Sequence, residues 1–352
     1  MKSETSVKYN SKEDPIKLTR LLIPIVLGLS ITAWLLLHEF NFETFTAFRH
    51  FKEYRHYILL AVMLMVLKDF AMIWRFRILT NYNLSWKQAY HINVLSEFTT
   101  TVTPVAIGGS SLVAIFLNKE GVTIGRSTNI TFINLILDEL FFILACPIFL
   151  YFLPIDELFN HSTVLVSSFE LIFKTSFILR FFWILFLYIG IFKKTKYIIK
   201  LIDLIFRFPA FKRWKTKSSL FSDSLYQASL EIADYSILFW LKLIAITFFA
   251  WTVRFLVVNV IFLAFVPIEN HMLVFARQLV MWFVMIASPT PGGSGIGELA
   301  FKDYFKDILL SNSNTISAML IWRIISYYSY IIQGIIVIPK WINKSFTKQQ
   351  EN

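Results

Sequence analysis

The chain has 352 residues, of which 56% are hydrophobic, 17% aromatic and only 16% charged, with a mean hydropathy of +0.61. A soluble domain of this length carries charge on about a quarter of its residues, so a soluble globular fold is excluded. The net charge of +11 does not indicate nucleic acid, because no nucleic-acid-binding module accompanies it and much of it lies beside apolar segments.

In chain order, six segments are long and apolar enough to cross a bilayer: 18–38, 57–74, 127–153, 176–192, 238–266 and 316–339. Between them lie two apolar segments, 88–118 and 272–310, each interrupted near its middle. The first break reads Thr103-Pro104-Val105-Ala106-Ile107-Gly108-Gly109-Ser110; the second reads Pro289-Thr290-Pro291-Gly292-Gly293-Ser294-Gly295-Ile296-Gly297-Glu298. A broken helix frees backbone groups that lipid does not satisfy, so such breaks belong where protein or a watery cavity does. Paired interruptions in two halves of a membrane protein point to a transporter's binding site.

Charge orients the segments. The tail 1–17, with Arg20 just before Leu21, carries five basic residues (Lys2, Lys8, Lys12, Lys17 and Arg20), and in the basic segment 193–235 residues 193–217 hold nine Lys or Arg against Asp203 alone. Both suit the cytoplasm, as does the tail 340–352 with Lys340, Lys344 and Lys348. The loops containing Asp156, Glu157 and Glu170, and Glu269, suit the outside. With both termini cytoplasmic, the first broken segment enters and leaves from the inner side, flanked by Arg75, Arg77, Lys87, Lys119 and Arg126. The second does so from the outer side. The expected architecture is an all-α polytopic membrane protein, one integral domain over 1–352, with about six spanning helices and two re-entrant Pro-Gly-broken hairpins in an inverted repeat. Its halves are 18–153 and 176–339. The alternative is that each broken segment is a kinked spanning helix. Within 193–235, aromatic and aliphatic residues interleave with basic ones, which fits either an interfacial helix or a basic loop.

Ionisable residues inside spans are costly and mark functional positions or interior ion pairs. Lys68, Arg277 and Arg323 read most simply as side chains near the membrane edge. Glu97, Asp138, Glu139, Arg254 and Glu298 are the stronger candidates, since Glu97 precedes the first break and Glu298 follows the second. If the two breaks meet near the midplane, these carboxylates and Arg254 converge on a polar cavity. There a carboxylate takes a proton or a cationic headgroup and Arg254 a lipid phosphate, or the charges simply lock helices together. The backbone around Gly108, Gly109, Gly292, Gly293 and Gly295, shaped by Pro104 and Pro291, with the hydroxyls of Thr103 and Ser110, completes a candidate substrate cradle.

The single cysteine, Cys146, precludes an intrachain disulfide, and the six histidines show no metal-ligand spacing. The run Gly293-Ser294-Gly295-Ile296-Gly297 has neither dinucleotide-loop spacing nor a P-loop ending. No cofactor, metal or catalytic set is expected.

Three stretches resemble the transmembrane-region family of lysylphosphatidylglycerol synthases: Trp74-Arg75-Phe76-Arg77-Ile78-Leu79, then Thr103-Pro104 through Gly108-Gly109 followed by Lys119-Glu120-Gly121-Val122, and Pro289-Thr290-Pro291-Gly292-Gly293 through Gly297-Glu298. Where that family commonly has an acid and a basic residue after the first Gly-Gly, this chain has Ser110, Ser111 and Val113. Where an acid–arginine pair is common in the next span, it has Asp138-Glu139. The resemblance implies a flippase-like domain in the inner (plasma) membrane, acting on lipids with anionic headgroups, and not aminoacyl transfer, since about a dozen residues follow the last span. Two alternatives remain open: an accessory subunit presenting lipid to a separate lipid-modifying enzyme, and a membrane-embedded lipid transferase.

Overall fold

A computed structural model describes residues 51–103, 112–159, 164–188, 226, 230 and 235–350. The first predicted span (18–38), nearly all of the basic segment and the first break itself (104–111) lie outside the described residues.

The chain is an all-α polytopic membrane protein. Its helices are α1 (Phe51–Leu79), α2 (Trp86–Val102), α3 (Val113–Lys119), α4 (Ile124–Phe152), the short α5 (Ile155–Phe159), α6 (Val164–Tyr188), α7 (Ile237–Phe262), α8 (His271–Ala287), α9 (Ile296–Leu309), α10 (Asn312–Arg323) and α11 (Ser329–Gln350). A single π-helical turn, Ile324–Tyr328, joins the last two. Among the described residues, the segments Tyr54–Leu79, Ile124–Phe152, Ile237–Phe262 and Asn312–Pro339 are long and apolar enough to cross a membrane. Leu59, Val66 and Phe70 on α1 and Leu179 and Phe182 on α6 are exposed, which gives these helices apolar outer faces suited to lipid.

Capping residues set several helix starts. Ser85 and Gln88 form a reciprocal capping box at α2; Ser236, Asn270 and Ser311 accept backbone N–H groups at α7, α8 and α10. Between α1 and α2 the chain turns through Asn81 and Tyr82, both left-handed.

Helices α1 and α7 form the antiparallel centre. At one end the Asn81 amide donates to the Tyr235 hydroxyl at 3.0 Å; further along Arg75 donates to Thr247 at 3.1 Å; at the far end the Tyr54 and Phe265 rings lie 4.7 Å apart. This pair fixes the direction of everything that follows. The first broken segment starts beside Asn81, whereas the second starts after Phe262, at the opposite end.

Both broken segments return to the end they came from. Gln88, in the first turn of α2, donates to the Glu120 carboxylate just past α3 at 2.9 Å. Arg277, in the second turn of α8, donates to the Tyr304 carbonyl at 3.0 Å and to Asp307 at 2.7 Å, near the end of α9. At 1.5 Å per residue, the 17 residues of α8 reach about 25 Å and the 14 of α9 about 21 Å, short of a core of about 30 Å. These are re-entrant hairpins, not kinked spanning helices. Trp341, in the middle of α11, donates to Glu120 at 2.8 Å, which brings that part of the last helix to the base of the first hairpin.

Candidate functional site

The two hairpin tips touch. Gly292 N–H donates to the Thr103 carbonyl at 3.0 Å, and the Tyr327 hydroxyl donates to the Thr101 carbonyl at 3.3 Å. The second break satisfies its own backbone: Ser294 N–H bonds the Pro291 carbonyl at 3.0 Å, Gly297 N–H the Gly293 carbonyl at 2.7 Å, and the Thr290 hydroxyl the Ser294 carbonyl at 2.7 Å. Gly292 must be glycine here. Its φ is +56°, and a Cβ would run into the Tyr327 ring and the Thr101 carbonyl.

Beside this contact lies a partly open cleft with a cavity volume of about 60 Å³. Its charged lining is Glu97, Arg254 and Arg323; Trp282, Trp322 and Tyr327 supply aromatic walls, and Thr100, Gln278 and Ser326 add polar groups. The π-helical turn presents Ser326 and Tyr327 to it, the kind of local rewinding that recurs at functional sites.

Arg254 donates from Nη1 to both oxygens of Glu97 at 3.3 and 3.4 Å, and its guanidinium sits 5.4 Å from the Trp251 ring centre and 4.9 Å from that of Trp282. Glu97 also pairs with Lys68, whose side chain is fully buried. Lys68 bonds Asp69 at 3.2 Å and the Tyr330 hydroxyl at 3.1 Å; Tyr330 in turn donates to Asp69 at 2.8 Å, and Asn93 donates to it at 3.0 Å. On the other wall Arg323 pairs with Glu298 at 2.5 Å and reaches toward the Gly292 and Gly293 carbonyls at 3.5 and 3.4 Å. Glu298 stands in the first turn of α9, where a carboxylate complements the helix dipole.

Of the residues singled out from sequence, Glu97, Arg254 and Gly292 line the cleft. Thr103, Pro291 and Gly293 build the tips through their backbones, Gly295 caps α9, and Glu298 holds Arg323. Asp138 and Glu139 stand outside the cleft lining. Asp138 is gripped by Arg75 at 2.5 and 3.2 Å and by Trp251 Nε1 at 2.9 Å, and Glu139 pairs with Arg180 from α6. The acid–arginine pairing absent within the α4 sequence is thus supplied by arginines of neighbouring helices. Pro104, Gly108, Gly109 and Ser110 lie outside the described residues.

The sequence reading placed Lys68, Arg277 and Arg323 at the membrane edge, yet all three are buried, at 0%, 2% and 3% exposure. Arg75, read as part of a basic flank, is buried as well. Arg277 does sit at a hairpin base, but enclosed by protein: it donates to the Glu157 and Tyr304 carbonyls and to Asp307. The adjacent charges Lys68-Asp69 inside an apolar span were the available signal for the missed half of the cluster.

The sequence profile described as lysylphosphatidylglycerol synthase TM region matches residues 21–334. A UPF0104 membrane protein of Archaeoglobus fulgidus is 26% identical over 345 residues, which covers 94% of this chain and 99% of the relative. The match runs through both hairpins and the helices that seat them, and the chain belongs to the lysylphosphatidylglycerol synthase transmembrane-region family.

Proposed function

We propose that this protein moves a phospholipid or polyprenyl-phosphate-linked lipid between the leaflets of the inner (plasma) membrane, without altering it chemically. The observation that carries the reading is the cleft at the meeting point of two hairpins entering from opposite ends. It offers Arg254 and Arg323 to a phosphate among aromatic walls. Arginine suits phosphate oxygens because its planar fork makes charge-assisted, paired hydrogen bonds. Its placement in a cleft between helices gives a headgroup polar partners part-way across, where bare hydrocarbon offers none.

The basic residues near Lys87 and Lys119 support a cytoplasmic first hairpin, and with it the part of α11 around Trp341. The lipid's tails remain in hydrocarbon while its headgroup passes the tips. Rocking of the hairpins against the α1–α7 centre would expose the cleft to one leaflet and then the other, the alternating access that inverted repeats support.

The test is a leaflet-exchange assay. Purified protein is reconstituted into liposomes containing fluorescent phospholipid, and the outer leaflet is bleached chemically. Translocation above protein-free vesicles is expected, with Arg254→Ala reducing the rate at least about tenfold, which corresponds to 1.36 kcal/mol of barrier. Lipid mass spectrometry on wild type, Glu298→Gln and Arg254→Ala supplies the binding arm. Selective lipid retention without exchange would turn the assignment to a lipid-presenting subunit.

A further inference from the structure

Among the described residues, the charges around the cleft cancel. Lys68, Arg254 and Arg323 face Asp69, Glu97 and Glu298, and each cation has a carboxylate within 3.3 Å. A guest with a net charge would leave one charge uncompensated in a mostly buried site, which is costly.

The pairs are not equally tight. Glu298 lies 2.5 Å from Arg323 Nε as an ion pair outside hydrogen-bond geometry, and Glu97 is held from behind by the fully buried Lys68. The Arg254–Glu97 contact is the loose one, at 3.3 and 3.4 Å, and both partners line the cleft. It is the natural place for a guest to enter.

Resting on the lipid-translocation reading above, we infer that the headgroup this site takes is zwitterionic, a phosphodiester joined to an ammonium, which opens the Arg254–Glu97 pair by inserting between its members. The phosphate then takes Arg254 and the ammonium takes Glu97, so every buried charge remains paired. The Trp282 and Tyr327 rings line the same space, and each already carries an arginine, Arg254 at 4.9 Å and Arg323 at 5.0 Å. Glu97 is accordingly the specificity-determining residue, and Lys68 a positioning residue that acts through it. Lipids whose headgroups are net anionic, such as phosphatidylglycerol or phosphatidic acid, fit the wild-type site poorly, and of the two lipid classes proposed above this narrows the substrate to a phospholipid.

The experiment is competitive lipid retention by the full-length protein in mild detergent, read by native mass spectrometry. The probes are equimolar phosphatidylethanolamine, phosphatidylcholine, phosphatidylglycerol and phosphatidic acid. Wild type is expected to retain the two zwitterions over phosphatidylglycerol by about tenfold or more. Glu97→Gln leaves the site with one excess positive charge and should reverse that order, whereas Glu97→Asp keeps the charge and should keep the order. If wild type prefers phosphatidylglycerol or phosphatidic acid, the inference is overturned while lipid handling stands. If Glu97→Gln binds with the wild-type order, Glu97 does not set the selectivity and the inference also fails. Should no protein retain any class, the lipid reading itself falls. Should Glu97→Gln fail to fold, the wild-type order alone decides.

Discussion

At the scale of single residues, the two cations that share Glu97 are not equivalent. Lys68 is fully buried, with two carboxylates and a tyrosine hydroxyl around it. Arg254 keeps some exposure, stacks on two tryptophans and makes only long bonds to Glu97. Removing the cation from a buried pair strands the opposite charge, at a cost of about 3–5 kcal/mol. Lys68→Met is therefore expected to lower the stability of the purified protein by about that amount, with Lys68→Arg recovering part of it. Removing hydrogen bonds to a charged group costs about 1.5–3 kcal/mol, and the length of those from Arg254 puts Arg254→Ala at the low end. Chemical denaturation of the three variants in one detergent checks the order. A larger loss for Arg254→Ala would make that arginine the structural anchor and remove it from the binding role.

At the scale of elements, the hairpin tips are the part whose geometry function depends on. Two glycines of the second break separate the contributions. Gly292 and Gly295 both have left-handed backbones, with φ of +56° and +79°, so alanine at either is strained by about 1–2 kcal/mol. Only at Gly292 would the added methyl meet the Tyr327 ring and the Thr101 carbonyl; at Gly295 it meets open space. Gly292→Ala should thus lose more thermal stability than Gly295→Ala and alone abolish leaflet exchange, since it pushes apart the tips joined by the Gly292–Thr103 hydrogen bond. Equal exchange rates in the two variants would show that the tips need not touch. The breaks themselves were legible in the sequence, because proline and glycine act locally on the backbone. Their contact was not, because it depends on how α1 and α7 seat the two hairpins, and nothing in either break specifies the other. For the same reason Glu97 and Glu298 could be singled out as costly intramembrane charges, while their partners Lys68 and Arg323, 29 and 25 residues away, were read as edge residues.

For the whole molecule, the direction of each hairpin follows from one packing fact, the antiparallel pairing of α1 with α7. Loop charge and paired breaks led to the same inversion from sequence, since the positive-inside bias and the turn chemistry are both local signals. An inverted pair of hairpins makes the cleft reachable, in principle, from either side by equivalent motions, and the proposed exchange depends on that equivalence. It also makes a labelling outcome definite. Cys146 is the sole cysteine and is buried, so Cys146→Ser gives a cysteine-free background at the modest cost of a small core change. Asn118 near the end of α3 and Ser313 at the start of α10 are both exposed, and each adjoins the base of a different hairpin. In sealed inside-out and right-side-out vesicles, Asn118→Cys should react with a membrane-impermeant maleimide only from the cytoplasmic face. Ser313→Cys should react only from the opposite one. Labelling of both from one face would place the two hairpin bases together, remove the inversion, and with it the alternating-access route proposed for the headgroup.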